Sequence, residues 1–293
     1  AAWEFKHPTI GDAYATLLAQ NPEHLGIFIQ GSAPERLIDQ VTCGDVEIKN
    51  AVIVPNVLFP QMLQKLKEMS QSKTYKSAWL SAFGAERDLH GFLSHRCSKE
   101  FLALYLQDNP GLLDDISEPG LYLYAASEVR LAQRLHEFGL LPEKSRKLFV
   151  ETVSKYALEG HDASAMNNDK IKRLFEKEEL DILKEKVRNE LLPNLENIRN
   201  EWESNHSAED SAEEYMQPFL EIFGILKECL DGDEKATKII VQQEQLTNDW
   251  IEENTTEEAA ISPRSLEKIE TQVERQSVRS IFDDIDVGDD DID

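Results

Sequence analysis

Three residues within one short stretch carry side chains that proteins use to bind zinc. His90, His95 and Cys97 supply two imidazoles and a thiol, which are usual zinc ligands. A structural zinc site needs four ligands, and no fourth donor follows at helical or hairpin spacing. We therefore predict no metal site here and interpret the two histidines as ordinary surface residues near the start of a helix.

A second pair, Arg130 and His136, has side chains suited to cleaving RNA. Their separation fits the loose Arg-x4-6-His spacing of HEPN-type ribonucleases, which this segment resembles. The resemblance implies that Arg130 stabilises the scissile phosphate and that His136 moves a proton. However, Leu131 stands where that family usually has a polar residue, and six helical residues turn by about 240 degrees. We prefer a solvated helix face, with a HEPN-like nuclease effector as an alternative.

Motifs for nucleotide hydrolysis or acyl transfer are missing from the chain. It has no Gly-x-x-x-x-Gly-Lys-Ser/Thr loop, no Gly-x-Gly-x-x-Gly, no Gly-x-Ser-x-Gly and no His-Glu-x-x-His. Such motifs cradle phosphates, present a nucleophilic serine or hold zinc. We therefore expect neither catalysis nor a bound cofactor in this chain.

The charge of the chain is strongly acidic and unevenly distributed. There are 56 acidic and 31 basic residues, for a formal net charge of -25. Residues 1–150 carry 18 acidic and 15 basic side chains, whereas residues 151–293 carry 38 and 16. Binding to a phosphate backbone or an anionic membrane needs Lys and Arg. The composition therefore predicts protein partners rather than nucleic acid or membrane.

Cysteine usage and hydropathy favour a cytoplasmic protein. Cys43, Cys97 and Cys229 are odd in number, lie far apart and form no Cys-x-x-Cys pair. They are typical of reduced thiols in the cytosol. No apolar run approaches the roughly 18 to 20 residues that span a bilayer.

The elements that must position these side chains are helices almost throughout. Apolar residues recur at helical spacing, which predicts helices at 23–30, 34–41, 57–66, 101–106, 126–138, 142–158, 178–192, 194–204 and 262–273. Ser98 is the predicted cap of the fourth of these helices. Residues 51–55 are the best candidate for a strand, although a buried extended linker fits this short, proline-flanked run equally well. Two further apolar stripes, 215–230 and 239–251, predict a helical hairpin across Asp231-Gly232-Asp233.

The last residues alternate apolar and acidic side chains. Residues 283–293 hold seven aspartates and no basic residue, and their few apolar residues cannot build a core of their own. This composition is typical either of a solubilising tail or of a segment that orders only on a basic, grooved partner. The predicted interaction residues are Ile281, Phe282, Asp283, Asp284, Ile285 and Val287.

The opening of the chain resembles the end of the winged-helix region in STAND-class P-loop NTPases. There, a strand carries an aromatic-x-His-Pro-Ser/Thr-Ile/Leu signature into an amphipathic helix, and residues 3–13 read Trp-Glu-Phe-Lys-His-Pro-Thr-Ile-Gly-Asp-Ala. The resemblance implies that the nucleotide loop lies in a preceding part and that His7 lies near the nucleotide's phosphates. The alternative role for His7 is a helix cap. Helical sensor or signalling regions follow in that class, and many bacterial members act against phage.

Together, these observations predict a mainly α fold of multi-helical arrays with a short winged-helix remnant at the N-terminus. Residues 1–45 would form this remnant and a helical opening, and residues 46–204 a multi-helical domain. Residues 205–260 would form an acidic helical hairpin, and residues 261–293 a helix and an acidic flexible tail. The predicted function is a non-catalytic regulatory or protein-interaction region of a larger STAND-type NTPase. A free-standing helical adaptor is a further alternative.

Overall fold

The computed structural model describes residues 17–18, 21–48, 51–71, 79–207 and 209–258. Several predicted features lie outside these residues. They are the winged-helix signature at 3–13 with His7, the helix at 262–273, and the tail with Ile281, Phe282, Asp283, Asp284, Ile285 and Val287.

The described part of the chain is mainly helical, which confirms the predicted fold class. Its helices are α1 (Pro22–Gly31), α2 (Pro34–Gln40), α3 (Phe59–Gln71), α4 (Trp79–Arg96), α5 (Lys99–Asp108), α6 (Leu112–Asp115), α7 (Ser127–Glu137), α8 (Glu143–Leu158), α9 (Asp169–Lys172), α10 (Lys177–Lys186), α11 (Leu192–Asn205), α12 (Ala212–Cys229) and α13 (Glu234–Glu258). Two strands, β1 (Val41–Cys43) and β2 (Val52–Val54), lie between α2 and α3. None of the described helices combines the length and apolar character that crossing a membrane requires.

The strands form a short parallel pair in the core. β2 confirms the strand predicted at 51–55, and Val41 pairs with Val52 in its register. β1 was not foreseen, since residue 41 was placed at the end of a helix that in fact ends at Gln40. The three residues of β1 are buried, and the backbone of Cys43 also pairs with Cys97 at the end of α4. These long-range pairings end the helix.

Gly44 follows β1 directly, in a backbone conformation and a packing environment that favour glycine. Its N–H donates to the carbonyl of Val54 at 2.9 Å, and its φ of +84° lies in the region that favours glycine. A Cβ at this position would stand 2.7 Å from the side chain of Ser98. Ser98 in turn caps α5 by accepting the N–H of Phe101, as predicted. The sheet, α4 and α5 are therefore joined at one place.

Helices α10 and α11 are continuous, which corrects the predicted break at residue 193. A π-helical turn, Val187–Leu191, connects them. Pro193 has no N–H to donate to a carbonyl four residues earlier, and Leu192 instead donates to Val187, five residues earlier. The wider turn accommodates the proline without ending the helix.

The predicted hairpin is confirmed as α12 and α13. Gly232 forms its turn with a φ of +85°, and Phe219, Phe223 and Ile240 are buried within it. The hairpin does not fold on itself alone, because Trp202 of α11 stacks on Phe219 with ring centroids 5.5 Å apart. A single hydrophobic cluster includes this interface and reaches back to the N-terminal helices. The division into domains remains a prediction.

Arg146 fixes α8 against the start of α10. Its side chain is 4% exposed, and its guanidinium donates to Glu143, to Glu179 and to the carbonyl of Leu174 at 2.7 to 3.0 Å. Hydrogen bonds from this guanidinium lower the pKa of Glu143 to about 2 and also lower that of Glu179. A buried charge is tolerated here because every side of the guanidinium has a partner.

Candidate binding surface

A cleft with a volume of about 500 Å³ lies between α2, α4 and the start of α7. Its lining combines apolar and charged side chains, namely Ile38, Asp39, Arg87, Asp88, Gly91, Phe92, His95, Arg96, Ala125 and Arg130. The three arginines and two aspartates give this lining a net charge of +1 when His95 is neutral. In a chain with a net charge of -25, such a site is electrostatically unusual.

The three arginines of the cleft differ from most others in the described residues. Arg134, Arg146, Arg173, Arg188 and Arg199 each form an ion pair with a carboxylate. Arg87, Arg96 and Arg130 form none with a described carboxylate, and Arg96 donates to the carbonyl of Val41 at 3.4 Å. Their positive charge is therefore available to an incoming anion.

His95 reports the electrostatic environment of the cleft. Its pKa is lowered by partial burial first, and then by the positive charges of Arg130, Arg134, Lys170 and Arg96. These cations lie on α4, α7 and α9, so three helices contribute to a positive electrostatic potential at the imidazole of His95. A bound anion would offset this field and raise the pKa of His95.

The structure separates the residues considered as zinc ligands. His95 is exposed and faces the cleft, as predicted for a surface histidine. The same prediction was wrong for His90, which is buried within α4 with its Nδ1 3.0 Å from the hydroxyl of Ser127. Cys97 is buried beside Cys43, and burial together with a hydrogen bond between the two thiols raises the pKa of Cys97. Within the residues that the structure describes, no three His, Cys, Asp or Glu side chains group as metal ligands.

Arg130 and His136 lie on different sides of α7. Both are exposed on the regular helix α7, where six residues correspond to a rise of about 9 Å and a rotation of about 240 degrees. Arg130 lines the cleft, and His136 does not. The sequence thus singled out one arginine of the cleft but missed Arg87 and Arg96, which local spacing does not link to it.

A second feature missed by the sequence reasoning is an aromatic loop, residues 118–126, beside the cleft. Leu121, Tyr122 and Tyr124 are 46%, 51% and 73% exposed. Between them, Leu123 is 1% exposed, so the chain alternates outward and inward side chains. The Leu-Tyr-Leu-Tyr sequence after Pro119-Gly120 was the available signal.

Hydrogen bonds hold the aromatic loop in one conformation. The buried carboxylate of Asp162 accepts the N–H of Leu123 at 2.9 Å, and the Tyr156 hydroxyl donates to the carbonyl of Pro119 at 2.8 Å. Within the loop, the N–H groups of Ala125 and Ala126 both donate to the carbonyl of Tyr122 at 3.0 Å. The two exposed tyrosines thus lie on an ordered backbone. The loop therefore loses little conformational entropy when a partner binds to it.

The aromatic loop separates two concave surfaces. Ala125 lines the basic cleft, while Tyr122 lines a smaller pocket of about 220 Å³ together with Trp202 and Tyr215. The hydroxyl of Tyr215 donates to the carbonyl of Trp202 at 3.1 Å, and their ring centroids are 5.5 Å apart. The candidate binding surface therefore consists of the basic cleft, the aromatic loop and this aromatic pocket.

No protein-family model, curated protein or solved structure matches this chain. The surface itself has a mixed character, with exposed tyrosines on the loop, apolar side chains and arginines in the cleft, and aromatic rings in the pocket. Aromatic residues and Arg are the types enriched in protein interfaces.

Proposed function

We propose that this chain is a non-catalytic protein-interaction and regulatory region of a larger cytoplasmic STAND-type NTPase that acts in bacterial defence against phage. The resemblance of residues 3–13 to the end of a winged helix supports the parent class. In such a protein, the helical region senses or transmits a signal through contacts with other proteins.

The aromatic loop is the observation that carries the interaction role. Tyr122 and Tyr124 expose large amphipathic rings, while Asp162 and Tyr156 fix the backbone between and before them. Exposed apolar side chains on an ordered loop gain contact area on binding and lose little freedom. Proteins rather than nucleic acid are the proposed partners, because the net charge of -25 repels a phosphate backbone beyond the cleft itself.

The separation of Arg130 from His136 argues against the nuclease alternative. A general acid or base must lie within hydrogen-bonding reach of the group that it serves. Two side chains that point to different sides of α7 do not meet this condition at one phosphate.

Site-specific photocrosslinking tests the proposal. The full-length protein would carry p-benzoylphenylalanine in place of Tyr124, and a matched control would carry it in place of Lys144, an exposed residue on α8. We expect protein adducts specific to position 124 in the cells that express the protein. The proposal fails if position 124 gives no adducts beyond those at position 144.

A further inference from the structure

We propose that the basic cleft binds the acidic segment 281–287 of the same chain, with aspartates on the cleft arginines and Phe282 on the apolar floor. The composition of this segment is typical either of a solubilising tail or of a segment that orders on a basic, grooved surface. The described part of the chain contains such a surface. The inference concerns the cleft and does not depend on the aromatic loop binding a partner.

Charge is the first argument for this pairing. Arg87, Arg96 and Arg130 line the cleft without a described carboxylate partner, and the segment offers Asp283, Asp284 and Asp286. Arginine donates several N–H groups in a planar fork that suits carboxylates. These pairs would provide carboxylate partners for three arginines that have none among the described residues.

The composition of the cleft is the second argument. Ile38, Phe92 and Gly91 provide an apolar floor between the arginines, so the lining is unlike a purely polar phosphate site. Asp39 and Asp88 also line it, so the carboxylates of any occupant must lie beside the arginines and away from these two aspartates. A segment that alternates Phe282 and Ile285 with aspartates can place its apolar side chains on the floor and its carboxylates near the arginines.

Comparison with the other concave surfaces favours the cleft. A groove of about 640 Å³ between α8 and α10 is lined by three lysines and three glutamates, so it offers an acidic segment no net attraction. The aromatic pocket includes Glu159 and Glu201 without Lys or Arg, so it repels such a segment. Of these three surfaces, the basic cleft alone has a net positive lining.

The chain is long enough for this contact. Residues 259–280 connect the end of α13 to Ile281, and an extended chain of that length reaches at most about 75 Å. A compact body of this size has a diameter on the order of 45 Å. The segment can therefore reach its own cleft without unfolding any described element.

Amide hydrogen exchange on the full chain is the primary test. We expect residues 281–287 to exchange at least about tenfold more slowly than in a synthetic peptide of residues 277–293. Arg87→Ala combined with Arg130→Ala should remove this protection, as should high salt. The matched control, Lys144→Ala with Lys177→Ala, removes two exposed cations elsewhere and should retain it.

The proposal is overturned if the segment exchanges as fast as the free peptide, or if its protection survives the double arginine substitution. Both arginines are exposed, so the variant should fold, and unchanged exchange across the core would verify this.

A binding experiment with a labelled 277–293 peptide identifies the occupant. The chain truncated after residue 279 should bind the peptide, and the full chain should bind it at least about tenfold more weakly because its own segment competes. Equal binding to both chains would overturn the contact within one chain. Inorganic phosphate is the competing probe: if it raises the pKa of His95 in the truncated chain and the peptide does not, the cleft is a simple anion site and the proposal is wrong.

Discussion

The carboxylate of Asp162 accepts the backbone N–H of Leu123 at 2.9 Å across 39 residues of sequence. Its other oxygen accepts the N–H of Ser164 at 2.7 Å. One buried side chain thus ties the aromatic loop to the connection after α8. The orientation of Tyr122 and Tyr124 depends on this tie, since Leu123 lies between them.

Replacement of this carboxylate should release the loop. Asp162→Ala leaves two backbone N–H groups without their acceptor, one of them buried, and we expect a loss of about 2 kcal/mol in the free energy of unfolding. Urea denaturation measures this loss, and exchange of the Leu123 amide should accelerate. Asp181→Ala, at an exposed position of α10, is the control and should change neither quantity.

Truncation of two neighbouring residues of the loop should change the free energy of unfolding by very different amounts. Leu123→Ala removes a buried side chain and should lower the free energy of unfolding by about 2 to 5 kcal/mol. Tyr124→Ala alters an exposed ring and should change it by less than about 0.5 kcal/mol. Thermal or urea unfolding distinguishes the two, and comparable losses would contradict the alternation seen in the loop.

Arg146 should be among the most sensitive positions of the described part. Arg146→Ala leaves Glu179, which is 21% exposed, without its main partner, and we expect a loss of about 3 to 5 kcal/mol. Arg173→Ala is the matched control, because its side chain is 66% exposed. A small effect at Arg146, measured by urea denaturation, would show that the cluster is not a stabilising tie.

Stability should also fall in acid through Glu143. Its folded-state pKa is lowered from 4.5 to about 2 by the Arg146 guanidinium, so its contribution is present above pH 4.5. That contribution is lost as the pH falls toward 2, because the unfolded state takes up the proton first. Glu143→Gln should therefore flatten the pH dependence of unfolding in this window. An unchanged slope between pH 4.5 and 2 would refute the pairing.

The thiols should differ in reactivity. Burial raises the pKa of both Cys97 and Cys229, but Cys229 is partly exposed while Cys43 and Cys97 are fully buried. Thiolate and access are both required for alkylation. Iodoacetamide at mildly alkaline pH should label Cys229 alone in the native protein and all three thiols in denaturant. Native Cys229→Ser should remain unlabelled, and rapid labelling of Cys97 would contradict the buried pair.

The sequence by itself determined most of the described helices and some of their ends, although it did not predict α4, α6 or α9. Apolar residues at helical spacing located α7 and α8, Ser98 marked the start of α5, and Gly232 marked the turn between α12 and α13. These features are local, because a cap or a turn is satisfied by groups within a few residues. The strand β2 was also found, since β-branched residues are enriched in strands, but only its pairing with β1 distinguishes it from a buried extended linker.

Tertiary structure decided what local patterns leave open. β1 exists because Val52 and Cys97 provide partners for residues that otherwise continue a helix. Likewise, Arg87, Arg96 and Arg130 share one cleft only because α4 and α7 pack together. Periodicity specifies which face of a helix is buried, but not which distant element covers it. The convergence of polar side chains from separate helices therefore follows from packing and not from their spacing in the chain.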